Sequence, residues 1–416
     1  TASDFTHIYF SHASATDSNL EIVQKTSSSF NIDVYSTAQL RDTTAWYHIV
    51  VRYDSSAPSL TAWINNRQVT FIERLSRGTA PTSGLDSHVN NNVAHYIGSA
   101  HSGGFWDGYM AEFVLIDGTA LTPSSFAETD DNGVWRPIDV SGLTFGTNGI
   151  YLDFADSSDL GNDVSGNNND FTSSGLAAAD QMTDTCTDNF CTLSPLQKFS
   201  NIVLSDGNLY LDNGSASWNA VNGTMKLPTT GKWYWEMSSA EYDGNQIFGI
   251  IDDENANQVF GSMSGAWAGV WGIQFHATPD RIQDGVFSSY GTQPDDASII
   301  GIAVDMDNGE MYMSDDGVWL ASSDPVARTN PLSTTVPSDA RPFFAEYHYT
   351  VAGYSVNFGA GGFDETIPTG FSALSTANFP TPAIKDGTKH FQTTLYTGNG
   401  STRNIDQTGN STFQPD

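Results

Sequence analysis

The stretch IIGIAVDMDNGEMYMSDDGVW, residues 299 to 319, decides how the chain is read, because its acidic spacing admits two incompatible structures. A calcium loop begun at Asp305 would need an oxygen ligand at its fifth position and a glycine at its sixth. Those positions hold Gly309 and Glu310, so the metal reading fails twice. A β-hairpin fits instead: IIGIAVDM leads in, EMYMS leads out, and Asn308-Gly309 supplies the positive φ angles of a tight turn. The chain is expected to reverse at Asp307 to Gly309 and again at Asp316-Gly317, with no metal on Asp305 or Asp307.

The same texture extends along the chain. Short runs rich in Val, Ile, Phe, Tyr and Trp recur between clusters of Gly, Asn, Asp and Ser, and helical periodicity lasts no more than a turn or two. In WYHIVVRY (46–53), Trp46, His48, Val50 and Arg52 share one face, and Tyr47, Ile49, Val51 and Tyr53 the other. Many short strands punctuated by turns predict an all-β fold of sandwiches, not α/β units.

Length and charge narrow the function. A chain of 416 residues is long enough for two or three domains with a core in each. With 48 acidic against 16 basic residues the formal charge is −32, which argues against nucleic acid as a partner, since phosphates demand Lys and Arg. Such acidity suits saline surroundings, where screening shortens the reach of self-repulsion. No apolar run approaches the roughly 18 residues of a membrane span, so no membrane insertion is expected. TASDFTHIYF is not a signal sequence and lacks an initiator Met, so Thr1 is expected to follow a removed or unresolved segment.

Composition divides the chain. Residues 157–195 are rich in Asn, Asp, Ser and Gly, and STANFPTPAIKDG (375–387) gathers three prolines. The expected organisation is a sandwich over 1–156, a linker over 157–198, a second sandwich over 199–374, and a strand-forming extension over 375–416.

The motifs GKWYWEM (231–237), IFGII (247–251), IIGIAVDMDNGEMYMSDDGVW (299–319) and RPFFAEY (341–347) resemble, in order, the successive strands of a SPRY domain. That resemblance spans about 199–374 and implies a bent, concanavalin-like antiparallel sandwich that binds through loops and does not catalyse. The first part carries AWYHIVVRYDSS, LTAWINNRQV, YIGSAHSGGFWDGYMAEFVLIDGTALTPSSF and NGIYLDFADSSDLGNDVSGNNNDFT. These resemble laminin G-like, concanavalin-like modules of phage structural proteins, where a linker such as DTCTDNFCTLSPL, a SPRY domain and a further repeat commonly follow. The strands such a module has before DFTHIYFS are missing or shortened, which implies a fragment of a longer polypeptide. The resemblance implies a virion structural or adhesion protein, in a tail fibre, spike or capsid decoration, that binds host-surface glycan or other virion proteins. The alternative is a secreted prokaryotic surface adhesin, and the third reading a polysaccharide-degrading enzyme.

Candidate site residues follow from chemistry. The E-x-D-x-x-E strand of sandwich glycosidases is absent: AEYDGN (240–245) and EFVLID (112–117) both lack the second Glu. No G-x-S-x-G elbow or H-E-x-x-H spacing occurs, so no catalytic residue is assigned, and His48 is expected to be structural. Sugar sites pair an aromatic platform with polar edges, which singles out Trp106 and Tyr109 in HSGGFWDGY and Trp267 and Trp271 in SMSGAWAGVWGIQF, whereas Trp233 and Trp235 are expected in the core. Asp153, Asp156, Asp159, Asp163 and Asp170, with four nearby asparagines, offer oxygen ligands for calcium, although a solvated acidic loop is the plainer reading. No other cofactor is implied. Cys186 and Cys191 are spaced for a local disulfide if maturation is oxidising. Sequons at Asn213, Asn222, Asn399 and Asn410 matter only in a glycosylating host. The segment from Lys389 is expected to dock on further protein, in a homo-oligomer or repeated array.

Overall fold

The computed structural model describes residues 4–11, 18–27, 29–57, 59–74, 81, 84–85, 87–100, 103–215, 217–239, 242, 246–256, 267–275, 279–292, 294–347, 353–387, 390, 397–398 and 400–402. Among them the regular structure is almost entirely antiparallel strand, with one four-residue α-helix, Asp253–Ala256, and short 3-10 turns. The chain is all-β, as its alternating pattern predicts.

The second half is a two-sheet sandwich. One sheet orders Leu193–Lys198, Asn219–Gly223, Arg341–Glu346, Gln246–Ile251, Val270–Phe275, Asp280–Gln283 and Val286–Ser289. The other orders Ile202–Ser205, Tyr210–Asn213, Tyr354–Asn357, Lys232–Ser239, Ile299–Asp305, Glu310–Asp315 and Val318–Trp319, with Ser372–Ala373 parallel to Lys232–Ser239. The period of two sends Trp233, Trp235 and Met237 into the core between the sheets, against Phe248, Ile250, Trp271, Ile273 and Phe344 of the facing sheet. The opposite faces are not bare. Ile247, Ile251 and Phe343 pack under Trp267 and Trp218, while Tyr234, Ala303 and Tyr312 pack under Phe371, Phe363 and Ile367. Strands covered on both faces therefore read as continuous apolar runs.

The hairpin that opened the reading is present, with Asp305 opposite Glu310. Its loop has four residues, and of these only Gly309 is left-handed, at φ 68°. Asn308 avoids that region because the Asp305 carboxylate holds it, accepting its backbone N–H at 3.1 Å and its side-chain N–H at 2.9 Å. The two-residue turn lies one strand later, where Asp316 (φ 45°) and Gly317 (φ 72°) connect the paired residues Asp315 and Val318.

The first half builds smaller sheets. Phe5–Ser11, Asn19–Thr26, Ser29–Gln39 and Phe71–Glu73 form one, and Ile49–Asp54, Ser59–Ile64 and Arg67–Gln68 another. Ile22, Ile32 and Val34 of the first meet Val51, Tyr53 and Leu60 of the second. Phe113–Leu115 pairs with Ile150–Leu152 over a separate cluster of Val140, Phe145 and Tyr151.

The stretch read as linker is ordered. Leu193–Lys198 is already the edge strand of the second sandwich, and Thr183 donates from both its backbone N–H and its hydroxyl to the carbonyl of Ala360 at 2.8 Å. Phe190 bridges to Ser375, and Ser375 donates to Asp188 at 2.9 Å. Of the extension, the segment to Phe379 closes on this sandwich, with Phe379 edge-on to Trp233 at 5.4 Å. The strand-forming runs beyond Lys389, with Asn399 and Asn410, lie outside the described residues.

The two cysteines do not bridge. Cys191 is buried against Thr224, whose hydroxyl lies 3.6 Å from its sulfur, and burial pushes its thiol up to about 11. Cys186 sits exposed in a turn closed by reciprocal backbone hydrogen bonds between Thr185 and Asp188. Close spacing was not enough, because one thiol belongs to the core and the other to the surface.

Candidate functional site

Burial sorts the four aromatic candidates. Trp267 is 3% exposed and stands edge-on to Trp218 at 4.8 Å. Trp271 is 7% exposed in the main core and donates its indole N–H to Thr335 at 3.2 Å. Neither presents a face to solvent, which corrects their reading as ligand platforms. The nearby glycines made them look like loop residues, but the alternation of Val270–Phe275 points Trp271, Ile273 and Phe275 into the core.

Trp106 differs. Backbone hydrogen bonds exchanged between Ala100 and Gly103 pinch the loop, and Trp106 N–H donates to Gly98 at 2.7 Å. The tip that results holds Phe105 at 82% exposure beside Trp106 at 44%, the latter tilted against Phe10 at 5.3 Å. It stands at a cleft of about 3110 Å³ whose walls include Tyr9, His48, Tyr96, Trp106 and Trp135.

Tyr109 closes the cleft from the other side, against the second sandwich. Its ring stacks on Trp46 at 6.5 Å, and its hydroxyl end lies flush with the backbone of Gly207, where an added Cβ would sit 2.6 Å away. Burial, with the charges of Asp206 and Asp184 behind it, raises the phenol far above its ordinary value. Asp184, itself raised by burial, accepts from Phe190 N–H at 3.0 Å and from the Trp46 side chain, and Asn208 donates to the carbonyl of Thr43 at 3.2 Å. Tyr109 therefore joins the two halves rather than offering a face to a ligand.

One constellation in the cleft wall was missed in the sequence. Tyr9 donates its hydroxyl to Glu21 at 2.6 Å, and Arg74 bridges Glu21 and Asp33. Both carboxylates are 2% exposed, so the half-exposed Arg74 and Tyr9 are the groups a ligand would reach. Arg74 is 53 positions from Glu21, which hid the cluster. The only signal was the charged residues at 21 and 33, inside strands that otherwise read apolar.

The acidic candidates do not converge. Asp163 accepts from the backbone N–H of Tyr151, Ser165 and Asn169 at 2.8–3.0 Å; burial pushes its carboxyl up, but these donors outweigh it and hold it below the usual range. Asp153, Asp156 and Asp159 each accept from an amide two residues on, and Asp170 accepts from Asp163 N–H. Among the described residues no three His, Cys, Asp or Glu side chains gather as a metal site. These carboxylates are spent on turns.

No protein-family model matches the chain, and no curated protein matches it. Among solved structures it is similar to the SPRY domain of human HERC1, at 10% identity over 40% of this chain and 96% of that one, with a TM-score of 0.32. It is also similar to the TRIM65 PSpry domain, at 14% identity over 41% of this chain and 91% of that one, with a TM-score of 0.29.

Proposed function

We propose that the chain is a non-enzymatic display protein of a virion surface, a phage tail fibre, spike or capsid decoration, that binds cell-surface glycan or a neighbouring virion protein. The observation that carries this reading is the Phe105–Trp106 tip, two adjacent aromatic side chains held clear of the body beside a wide cleft. A flat apolar ring with a polar edge suits the CH face and hydroxyls of a sugar, and Arg74 and Tyr9 stand in the cleft wall as hydrogen-bonding partners. The order of a laminin G-like module followed by a SPRY-like sandwich supports a particle surface over a secreted adhesin. Repetition on a particle adds avidity, so each site needs only modest affinity.

The test is binding of the purified protein to host cells and immobilised surface glycans, beside immunogold micrographs of native particles. Phe105→Ala combined with Trp106→Ala is expected to lower binding by at least about tenfold, with an unchanged thermal midpoint. Full binding by that variant, or label on cells and never on particles, would overturn the reading.

A further inference from the structure

The longest edge strand among the described residues is Phe5–Ser11, FTHIYFS, which ends the order of its four-stranded sheet. Sheet edges expose backbone donors and acceptors, and proteins blunt them with charge, proline, bulges or shortness. The other edges of this protein show those devices. Leu193–Lys198 carries Pro195, Lys198 and an irregular register, Ile49–Asp54 carries Arg52 and Asp54, and Val286–Ser289 and Ile202–Ser205 have four residues each. Phe5–Ser11 has seven residues and no Asp, Glu, Lys, Arg or Pro.

Its side chains point the same way. Ile8 lies opposite Ile22, so it continues the apolar face that packs on the three-stranded sheet. The facing sheet does not extend that far, and Ile8 is left 49% exposed. Phe10, two residues on, lies against Trp106, so the uncovered apolar surface continues to the 105–106 tip.

We propose that this edge is a homodimer interface, in which the Phe5–Ser11 strands of two copies pair antiparallel about a two-fold axis at Ile8. The strand is self-complementary in that register. Ile8 faces Ile8, Thr6 faces Phe10 on the same side of the sheet, and His7 faces Tyr9 on the other, so like faces meet like and two four-stranded sheets become one of eight. A second copy fits better than a basic or acidic partner because the strand offers no charge to pair. Two chains that each carry −32 can approach only through such an uncharged stretch. The proposal stands on the sheet edge alone and holds whether or not the tip binds glycan.

The experiment is sedimentation of the whole chain over a concentration series in about 0.05 and about 0.5 M NaCl, with Ile8→Lys and, as a control on another edge, Leu196→Lys. Wild type and Leu196→Lys are expected to reach dimer mass, more readily at high salt, whereas Ile8→Lys stays monomeric with an unchanged circular dichroism spectrum. In a Cys186→Ser background, Ile8→Cys is expected to oxidise to a covalent dimer and Thr6→Cys is not. A wild type that stays monomeric throughout, an Ile8→Lys variant that dimerises like the control, or equal cross-linking at both positions would overturn the proposal. If Ile8→Lys unfolds, the cross-linking pair decides by itself.

Discussion

His48 accepts the indole N–H of Trp135 on its Nδ1 at 3.1 Å, so that nitrogen carries no proton in the folded chain. Burial holds the ring below the ordinary histidine value. Protonation must therefore break a hydrogen bond and charge a half-buried ring. Between the lowered folded value and about 6.5 the unfolded chain binds more protons, so stability from this residue is present above about pH 6.5 and is lost as pH falls below it. The urea midpoint is expected to drop from pH 7.5 to 5.5, and His48→Gln to flatten that slope; an identical slope in the variant would show that His48 does not contribute. The structural role of His48 was legible because it sits in a β-run without a catalytic partner spacing. The role of Tyr109 was not, because nothing local to HSGGFWDGY marks a contact with Gly207, which only the docking of two halves creates.

At the scale of the element, the hairpin of 299–319 shows what carboxylates do in this chain. Asp305 is fully buried, pairs with Lys232 at 2.9 Å and holds Asn308 by two hydrogen bonds. Burial pushes its carboxyl up, while the Lys232 and Asn308 bonds outweigh that and hold it below its usual value. Removing one member of a buried pair leaves the other uncompensated, so Asp305→Ala is expected to cost about 3 kcal/mol. Gly309→Ala should cost less, about 1–2 kcal/mol, because an added Cβ meets nothing closer than 3.7 Å and only the left-handed backbone is strained. Urea unfolding of both variants checks the order, and a smaller loss for Asp305→Ala would refute this account of the turn. The hairpin was legible from its alternation and turn residues. The strand Leu193–Lys198 was not, since Pro195 and a broken register hide the pattern within a polar stretch.

For the whole molecule the governing quantity is the excess of 48 acidic over 16 basic residues. Few carboxylates find a cation, and those in the 153–170 loop face backbone amides instead. Amide contacts satisfy individual carboxylates without reducing the net charge, so the fold still carries the repulsion of −32. Salt shortens the range of that repulsion from about 30 Å at 0.01 M to about 3 Å at 1 M. The thermal midpoint is therefore expected to rise with sodium chloride and to level off as the screening length falls below the spacing of surface charges. Calcium distinguishes screening from a built site, because a specific ion at 100 times its dissociation constant would add about 2.7 kcal/mol. With the candidate ligands Asp153, Asp156, Asp159 and Asp163 already engaged, millimolar calcium is expected to shift the midpoint no more than magnesium at equal ionic strength. Melting curves in sodium, magnesium and calcium chlorides make the comparison. A midpoint that climbs in micromolar calcium and saturates would mean that the loop rearranges around an ion, and the turn-capping account of its carboxylates would fall.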